Sequence, residues 1–277
     1  MYKRKDFISQ LELNSSRPRV SIRITAAQFL KFTTIPEQLQ IFSNLINPAA
    51  VTSVSLDYSL SRTIKVPTSP TNSLFPFPNL ETLIFLSTAN VEHVFKVVEE
   101  FSLPGLKSLT IRLSYKYHVN FHDVLSHIKE LNIIESNSSF VLDLSKLVDL
   151  KTLSVVSFNK TIRLTGFSSL ANLENLDLVG YNEQIVLHPS VKLLNLKVKD
   201  VPNCNICSNN LTELQTLTLI RSGLRICQSL STMPNLESII IDFRKLDRPP
   251  SFKFNVPFLP KLQHLELYKT YPSGIDL

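Results

Sequence analysis

Two cysteines, Cys204 and Cys207, have the Cys-x-x-Cys spacing of half a zinc site or of a redox-active dithiol. Cys227 is the third cysteine of the chain, so at most three thiolate ligands are available from this region. A structural zinc site needs four ligands, and the neighbouring sequence offers no obvious fourth. Because a free cysteine most often behaves as a small buried apolar residue, we expect Cys204 to lie in the core. A zinc or thiol protein that uses all three cysteines is the alternative interpretation.

Other residues capable of chemistry form no motif. The histidines His118, His122 and His127 are close in sequence, but only Asp123 lies near them, and we interpret them as polar surface residues. The five glycines stand far apart, whereas phosphate-binding loops and dinucleotide fingerprints need several glycines in a short window. No G-x-S-x-G nucleophile motif occurs. The sequence therefore predicts that the protein is not an enzyme and uses no cofactor and no metal.

The charge and hydrophobicity of the chain restrict its partners and location. Its formal net charge is +6, but the basic residues are scattered apart from the run Lys3 to Lys5, which argues against a nucleic-acid partner. The basic N-terminus is not followed by the apolar stretch of a signal peptide. No apolar run is long enough to span a bilayer. We expect a soluble intracellular protein, cytoplasmic or nuclear or both, not secreted and without a membrane partner.

A repeated pattern, L-x-x-L-x-L, predicts the fold. In each copy the apolar residues alternate with other residues, so that they point to one side of a β-strand. One such strand cannot bury its apolar side alone, whereas parallel stacking of many copies builds a continuous core. Successive copies begin between 18 and 29 residues apart. The first positions of the ten copies, called anchors below, are Val51, Leu80, Leu106, Ile128, Leu150, Leu173, Val191, Leu214, Leu236 and Leu262.

These ten copies resemble the leucine-rich repeat superfamily over residues 51–277. The resemblance implies an α/β solenoid with a curved, parallel, concave sheet of about 10 to 11 strands. Helical periodicity in residues 91–101, and a shorter apolar pattern after Asn120, predict helices on the early convex side. Later connections carry a second apolar pair, as in Ile162 and Leu164, and are predicted to be extended or 3-10. Residues 1–50 are predicted to form an N-terminal cap, with an edge strand at 20–24 and a helix at 35–46.

The segment IPEQLQIFSNL, residues 35–45, resembles the opening of an F-box. The whole chain then resembles fungal proteins that combine an F-box with leucine-rich repeats. That resemblance implies a substrate-recognition subunit of an SCF or cullin-type ubiquitin ligase, which binds the ligase adaptor through this segment. The other interpretation is a simple connecting helix, because the chain has no Trp and the Val51 copy begins shortly afterwards.

The alternation that buries the leucines also predicts which side chains face outwards on the concave side. We expect an apolar stripe with a polar border, a kind of surface that solenoids use to bind proteins. The favoured function is therefore a non-catalytic interaction module that binds a protein partner through this face. The predicted contact residues are Arg112, Asn132, Ile134, Ser154, Val156, Asp177, Val179, Lys197, Ile220 and Asp242.

Overall fold

The protein is described by a computed structural model, which covers most of the predicted repeat region. The described residues are 11–12, 19–25, 44, 46–57, 77–88, 103–113, 117–120, 125–135, 140–158, 162–181, 183–201, 204–207, 211–222, 224–226, 233–244, 254–255, 259–268 and 275–276.

Strands dominate this part of the chain, and it also contains two short 3-10 segments, Pro48–Ala50 and Phe167–Ser169. In chain order the strands are β1 (Leu11–Glu12), β2 (Arg19–Thr25), β3 (Val51–Asp57), β4 (Thr82–Thr88), β5 (Ser108–Leu113), β6 (Tyr117–Asn120), β7 (Glu130–Glu135), β8 (Phe140–Asp143), β9 (Thr152–Ser157), β10 (Ile162–Thr165), β11 (Asn175–Val179), β12 (Ile185–Val186), β13 (Asn195–Lys199), β14 (Cys204–Cys207), β15 (Thr216–Ile220), β16 (Leu224–Ile226), β17 (Ser238–Asp242), β18 (Phe254–Asn255), β19 (His264–Tyr268) and β20 (Ile275–Asp276).

A twelve-stranded sheet runs the length of the molecule in the order β1-β2-β3-β4-β5-β7-β9-β11-β13-β15-β17-β19. The pairing of β1 with β2 is antiparallel, and every later pair in this sheet is parallel. Each strand pairs with the corresponding strand of the preceding and following repeat, so the chain winds as a parallel β-solenoid. This confirms the predicted stacking of repeats, and one turn of the winding is called a coil below.

The predicted leucine pattern forms the core. In β9, Leu153 and Val155 are fully buried, and the intervening Ser154 and Val156 are half-buried on the other side. The first eight anchors are 0–2% exposed, and so is Leu236. Each coil therefore contributes its anchor and two strand residues to one continuous apolar interior.

A recurrent turn leads into these strands. An apolar residue three positions before the anchor accepts a hydrogen bond from the anchor N–H, as in Leu80 N–H to Phe77 O at 3.2 Å and Leu236 N–H to Met233 O at 3.2 Å. The residue after Phe77 or Met233 is proline, whose fixed φ suits the second position of such a turn. Both ends of the turn are buried, so the turn is held by the core as well as by its hydrogen bond.

Asparagine side chains connect successive turns. Asn79 donates to Ala49 O at 2.8 Å, Asn172 donates to Val148 O at 3.0 Å, and Asn235 donates to Thr212 O at 2.9 Å. Each asparagine directly precedes its anchor, and each carbonyl lies two residues before the anchor of the preceding coil. The bonds satisfy turn carbonyls that face no strand partner, and thereby tie one coil to the next.

The opposite side of the solenoid is built from shorter sheets. One three-stranded sheet has the order β10-β8-β6, another has the order β12-β14-β16, and β18 pairs with β20. The extended or 3-10 connections predicted for the later coils are therefore present. The prediction of early helices is not supported where it can be compared: residues 125–129 form a turn and β6 precedes them, while residues 91–101 lie outside the described part.

The register of β13 differs from the prediction by two residues. Asp177 pairs with Lys197 and Val179 with Lys199, so the strand is counted from Leu193 and not from Val191. Val191 does follow the recurrent turn, and its N–H donates to His188 O at 3.1 Å. However, β13 begins four residues after Val191, whereas β11 begins two residues after its anchor Leu173. Val191 and Leu193 are both fully buried, so hydrophobicity alone did not distinguish them.

The two ends of the large sheet differ. At the N-terminal end the strand predicted at 20–24 is present as β2, which buries Ile22 and Ile24 against β3. It is not the edge strand that was predicted, because β1 pairs with its other side. The helix predicted at 35–46 lies largely outside the described residues. At the other end, Leu265 and Leu267 occupy the inward positions of β19 but are only half-buried. Their partners in β17, Ile239 and Ile241, are 0% exposed.

Candidate functional site on the open face of the large sheet

The open face is the side of the large sheet whose side chains alternate with the buried ones. Strand pairing arranges these side chains in three rows that cross the strands. From β3 to β19 the first row is Ser53, Thr82, Ser108, Glu130, Thr152, Asn175, Asn195, Thr216, Ser238 and His264. The second row is Ser55, Ile84, Thr110, Asn132, Ser154, Asp177, Lys197, Thr218, Ile240 and Glu266. The third row runs without a break from β5 to β19 as Arg112, Ile134, Val156, Val179, Lys199, Ile220, Asp242 and Tyr268. Asp57 and Leu86 pair with each other at its β3 and β4 end, but a register shift between β4 and β5 separates Leu86 from Arg112.

The ten predicted contact residues all lie in the second and third rows. Ile134, Val156 and Val179 are direct neighbours on β7, β9 and β11, and this half-buried trio is called the apolar stripe below. The predicted polar border, Asn132, Ser154 and Asp177, lies beside it in the second row. Counting from the anchor Val191 predicts Lys197 beside Val179 in the third row. In the structure Lys197 pairs with Asp177 in the second row, and Lys199 is the residue beside Val179.

Phe158 is an exposed aromatic residue directly beyond the end of β9. It lies two residues after Val156 in the sequence and is 67% exposed. Its N–H donates to Glu135 O at 3.4 Å, which keeps the backbone against the preceding coil. The sequence pattern stopped at the last strand residue and therefore missed this aromatic.

The first and second rows contain polar side chains that bond to one another. Asn175 donates to Thr152 Oγ1 at 3.1 Å and accepts from Asn195 at 2.6 Å, while Asn132 donates to Thr110 Oγ1 at 3.3 Å. These contacts link adjacent strands across the face. These polar side chains already use part of their hydrogen-bonding capacity within the chain. The apolar stripe is therefore the part of the open face that has most to gain from contact with a partner.

Three aspartates of the open face are paired with cations from the same chain. Arg23 contacts Asp57 at 2.5 Å, Lys197 contacts Asp177 at 2.8 Å, and Arg244 contacts Asp242 at 2.8 Å. The hydrogen bonds from Arg244 hold the pKa of the Asp242 carboxyl below its usual value, and Arg221 adds to this effect. These charges set contacts between and along strands.

The ends of three successive strands have unusual backbone geometry. Gly180, Asp200 and Arg221 follow β11, β13 and β15, and they have φ values of 70°, 58° and 49°. Their N–H groups donate to Lys199 O, Ile220 O and Asp242 O, each in the following coil. Arg221 Nε and Nη2 bind the two Asp200 oxygens at 2.5 and 2.7 Å, and this bonding raises the pKa of Arg221. The bidentate pair therefore fixes two of the three left-handed turns.

The described residues considered for metal chemistry lie in two of the short sheets and in a turn. Cys204 and Cys207 begin and end β14, where Cys204 pairs with Leu224 and Cys207 with Val186, whereas Cys227 lies outside the described residues. His118 lies in β6, and His127 lies in the turn before β7 with its Nε2 at 3.0 Å from Leu103 O. No group of three or more His, Cys, Asp or Glu side chains suited to a metal ion occurs in the described ranges.

Comparison with known proteins adds no family. No protein-family model matches the chain, and neither does any curated protein. Among the residues with described structure, no helix is long and apolar enough to cross a membrane. The fold and the open face define the class of the molecule: a parallel β-solenoid with a broad sheet surface.

Proposed function

We propose that the protein is a non-catalytic interaction module that binds a protein partner through the open face of the large sheet. The observation that carries this proposal is the apolar stripe on three adjacent strands, together with Phe158, which is 67% exposed directly after β9. An exposed aromatic beside aliphatic side chains is a typical anchor point in protein interfaces. Aliphatic residues also suit strands in general, but this does not account for an exposed phenylalanine beyond the strand end.

The rigidity of the face supports the same proposal. Adjacent strands are joined by the backbone ladder, by the amide contacts of Asn175 and Asn195, and by the ion pair of Lys197 with Asp177. A surface that is already ordered loses little conformational entropy when a partner binds. The polar second row then provides a border where contacts are specific but less hydrophobic.

We also propose that this solenoid is of the leucine-rich-repeat type. Support comes from the buried L-x-x-L-x-L positions, from one large-sheet strand per coil, and from the asparagine bonds between successive turns. The ubiquitin-ligase alternative depends on residues 35–45, most of which lie outside the described part of the chain. It therefore remains a hypothesis based on the sequence.

The test replaces one stripe residue and compares it with a matched control. Val156→Glu places a carboxylate in the stripe, and Val148→Glu makes the same change at a turn valine that is 47% exposed. Proximity labelling in the source cells should show a set of proteins that is lost with Val156→Glu and retained with Val148→Glu. Thermal unfolding of both purified variants checks that each is folded. Identical labelling by the two variants would refute the open face as the binding surface.

A further inference from the structure

The apolar stripe lies between two basic residues. Arg112 on β5 precedes Ile134 in the third row, and Lys199 on β13 follows Val179. The corrected register of β13 is what places Lys199 here. Building on the proposed function, we infer that the open face takes up an extended acidic peptide of the partner, with an apolar centre on the stripe and a carboxylate at each end.

The charge pattern of the face favours an acidic ligand. The carboxylates of Asp57, Asp177 and Asp242 each contact a cation of the same chain. Lys199, by contrast, makes no ion pair with any of the described residues. A carboxylate bound beside Lys199 would therefore meet a cation that has no ion-pair partner among the described residues, and the third-row carboxylates Asp57 and Asp242 are already paired. The exposed Glu130 lies in the first row, at the other end of β7.

The dimensions of the stripe favour a short extended segment. Strands β5 and β13 are four strand intervals apart in the sheet, or roughly 19 Å at the usual spacing of parallel strands. An extended peptide covers that distance with about six residues. Carboxylates near the ends of such a segment reach Arg112 and Lys199, and the apolar residues between them cover the stripe and contact the ring of Phe158.

A random peptide library of about twelve residues, displayed on phage, provides an unbiased probe, since it covers the six-residue span with flanks on both sides. It is selected on the full chain and depleted on the Val156→Glu variant. Enriched peptides are then synthesised and their dissociation constants measured by fluorescence anisotropy. Lys199→Glu is compared with Lys192→Glu, which makes the same charge change at an exposed residue of the same coil, outside the three rows.

The expected result is enrichment of peptides with apolar centres and flanking Asp or Glu. Lys199→Glu should weaken their binding about tenfold or more, and Lys192→Glu by less than about threefold, because only the local contact becomes repulsive. Enrichment of neutral or basic peptides that still depend on Val156 overturns the acidic specificity and leaves the proposed function standing. Tighter binding of a labelled single-stranded oligonucleotide than of any selected peptide also overturns it. If no selected peptide depends on Val156, the inference fails, whereas the proximity-labelling comparison tests the proposed function separately.

Discussion

At the scale of single residues, Gly180 shows how closely successive coils approach one another. Its φ of 70° is left-handed, and a Cβ built on it would lie 1.9 Å from Ser157 O of the preceding coil. Ser157 cannot withdraw easily, because it is buried and its hydroxyl donates to Glu135 Oε2 at 2.9 Å. The position therefore requires glycine above all for the space that it leaves, and the left-handed φ adds strain to any other residue, although Asp200 and Arg221 adopt such a φ in the next two coils.

Gly180→Ala is expected to lower the free energy of unfolding by at least about 2 kcal/mol, because left-handed backbone strain and a backbone clash add together. Gly105→Ala is the control: Gly105 has no left-handed φ, and its added Cβ would lie 3.3 Å from Leu80 O. That variant should change stability by less than about 1 kcal/mol. Urea denaturation of both proteins measures the difference, and equal stability of the two variants would disprove the role given to Gly180.

At the scale of elements, the last strands of the large sheet are held together by charged side chains at their C-terminal ends. Arg244 binds Asp242 at the end of β17, and its guanidinium lies 4.3 Å from the ring centre of Tyr268 on β19. Tyr268 in turn donates to Glu266 at 3.1 Å, and this bond raises the pKa of the phenol. These contacts connect β17 with β19 where the apolar core is least covered.

Asp242→Asn is expected to make the free energy of unfolding less dependent on pH in the acid range. The folded-state pKa of Asp242 is lowered, chiefly by its hydrogen bond from Arg244. Its contribution to stability is therefore present above the unfolded-state pKa of about 3.9 and is lost as the pH falls through the lower folded-state value. Because Arg244 is 61% exposed, the effect at neutral pH should be below about 1 kcal/mol.

Urea denaturation from about pH 7 to about pH 3 follows this effect. The wild-type protein should be the more stable at the upper end, and the two proteins should converge towards the lower end. Asp149→Asn, which removes a carboxylate from an exposed turn, is the control. The free energy of unfolding of this variant should depend on pH in the same way as that of the wild type. A constant gap between wild type and Asp242→Asn at every pH would contradict the assigned cause.

At the scale of the whole molecule, the core is continuous but not equally covered along its length. Leucines at inward strand positions are fully buried in the central coils and half-buried in β19. Each coil contacts mainly its two neighbours, so the stability of such an array is close to a sum over coils and their interfaces. The same substitution should therefore have unequal effects at the centre and at the end.

Leu153→Ala and Leu265→Ala test this difference, since both residues occupy the first inward position of their strands. Leu153 is 0% exposed, so its truncation should cost about 2 to 5 kcal/mol through lost burial and a remaining cavity. Leu265 is half-buried, and its truncation should cost less than half as much. Chemical denaturation of the two variants provides the comparison. Equal losses would mean that β19 is covered in solution as fully as β9.

Much of this architecture was predictable because burial and alternation are recorded directly in residue type. For the copies that begin at Leu150, Leu173 and Leu214, the spacing of the leucines was enough to predict the strand and its buried side. The register of β13 was not predictable in this way, because Val191 and Leu193 are equally apolar and the choice between them depends on the preceding turn. The ion pair of Asp200 with Arg221 and the exposure of Phe158 depend on backbone positions after the strands, where the repeat pattern carries no information.

The strand spacing of the large sheet has a consequence for any extended partner that crosses it. Neighbouring strands repeat every ~4.8 Å, whereas side chains on one side of an extended peptide repeat every ~6.6 Å. Four intervals of the sheet coincide with three of the peptide at roughly 19 to 20 Å. A crossing peptide is thus in phase with β5 and β13 and out of phase with the three strands between them. Such a surface discriminates among ligands by the distance between two outlying groups, and it tolerates variation in the residues that lie between those groups.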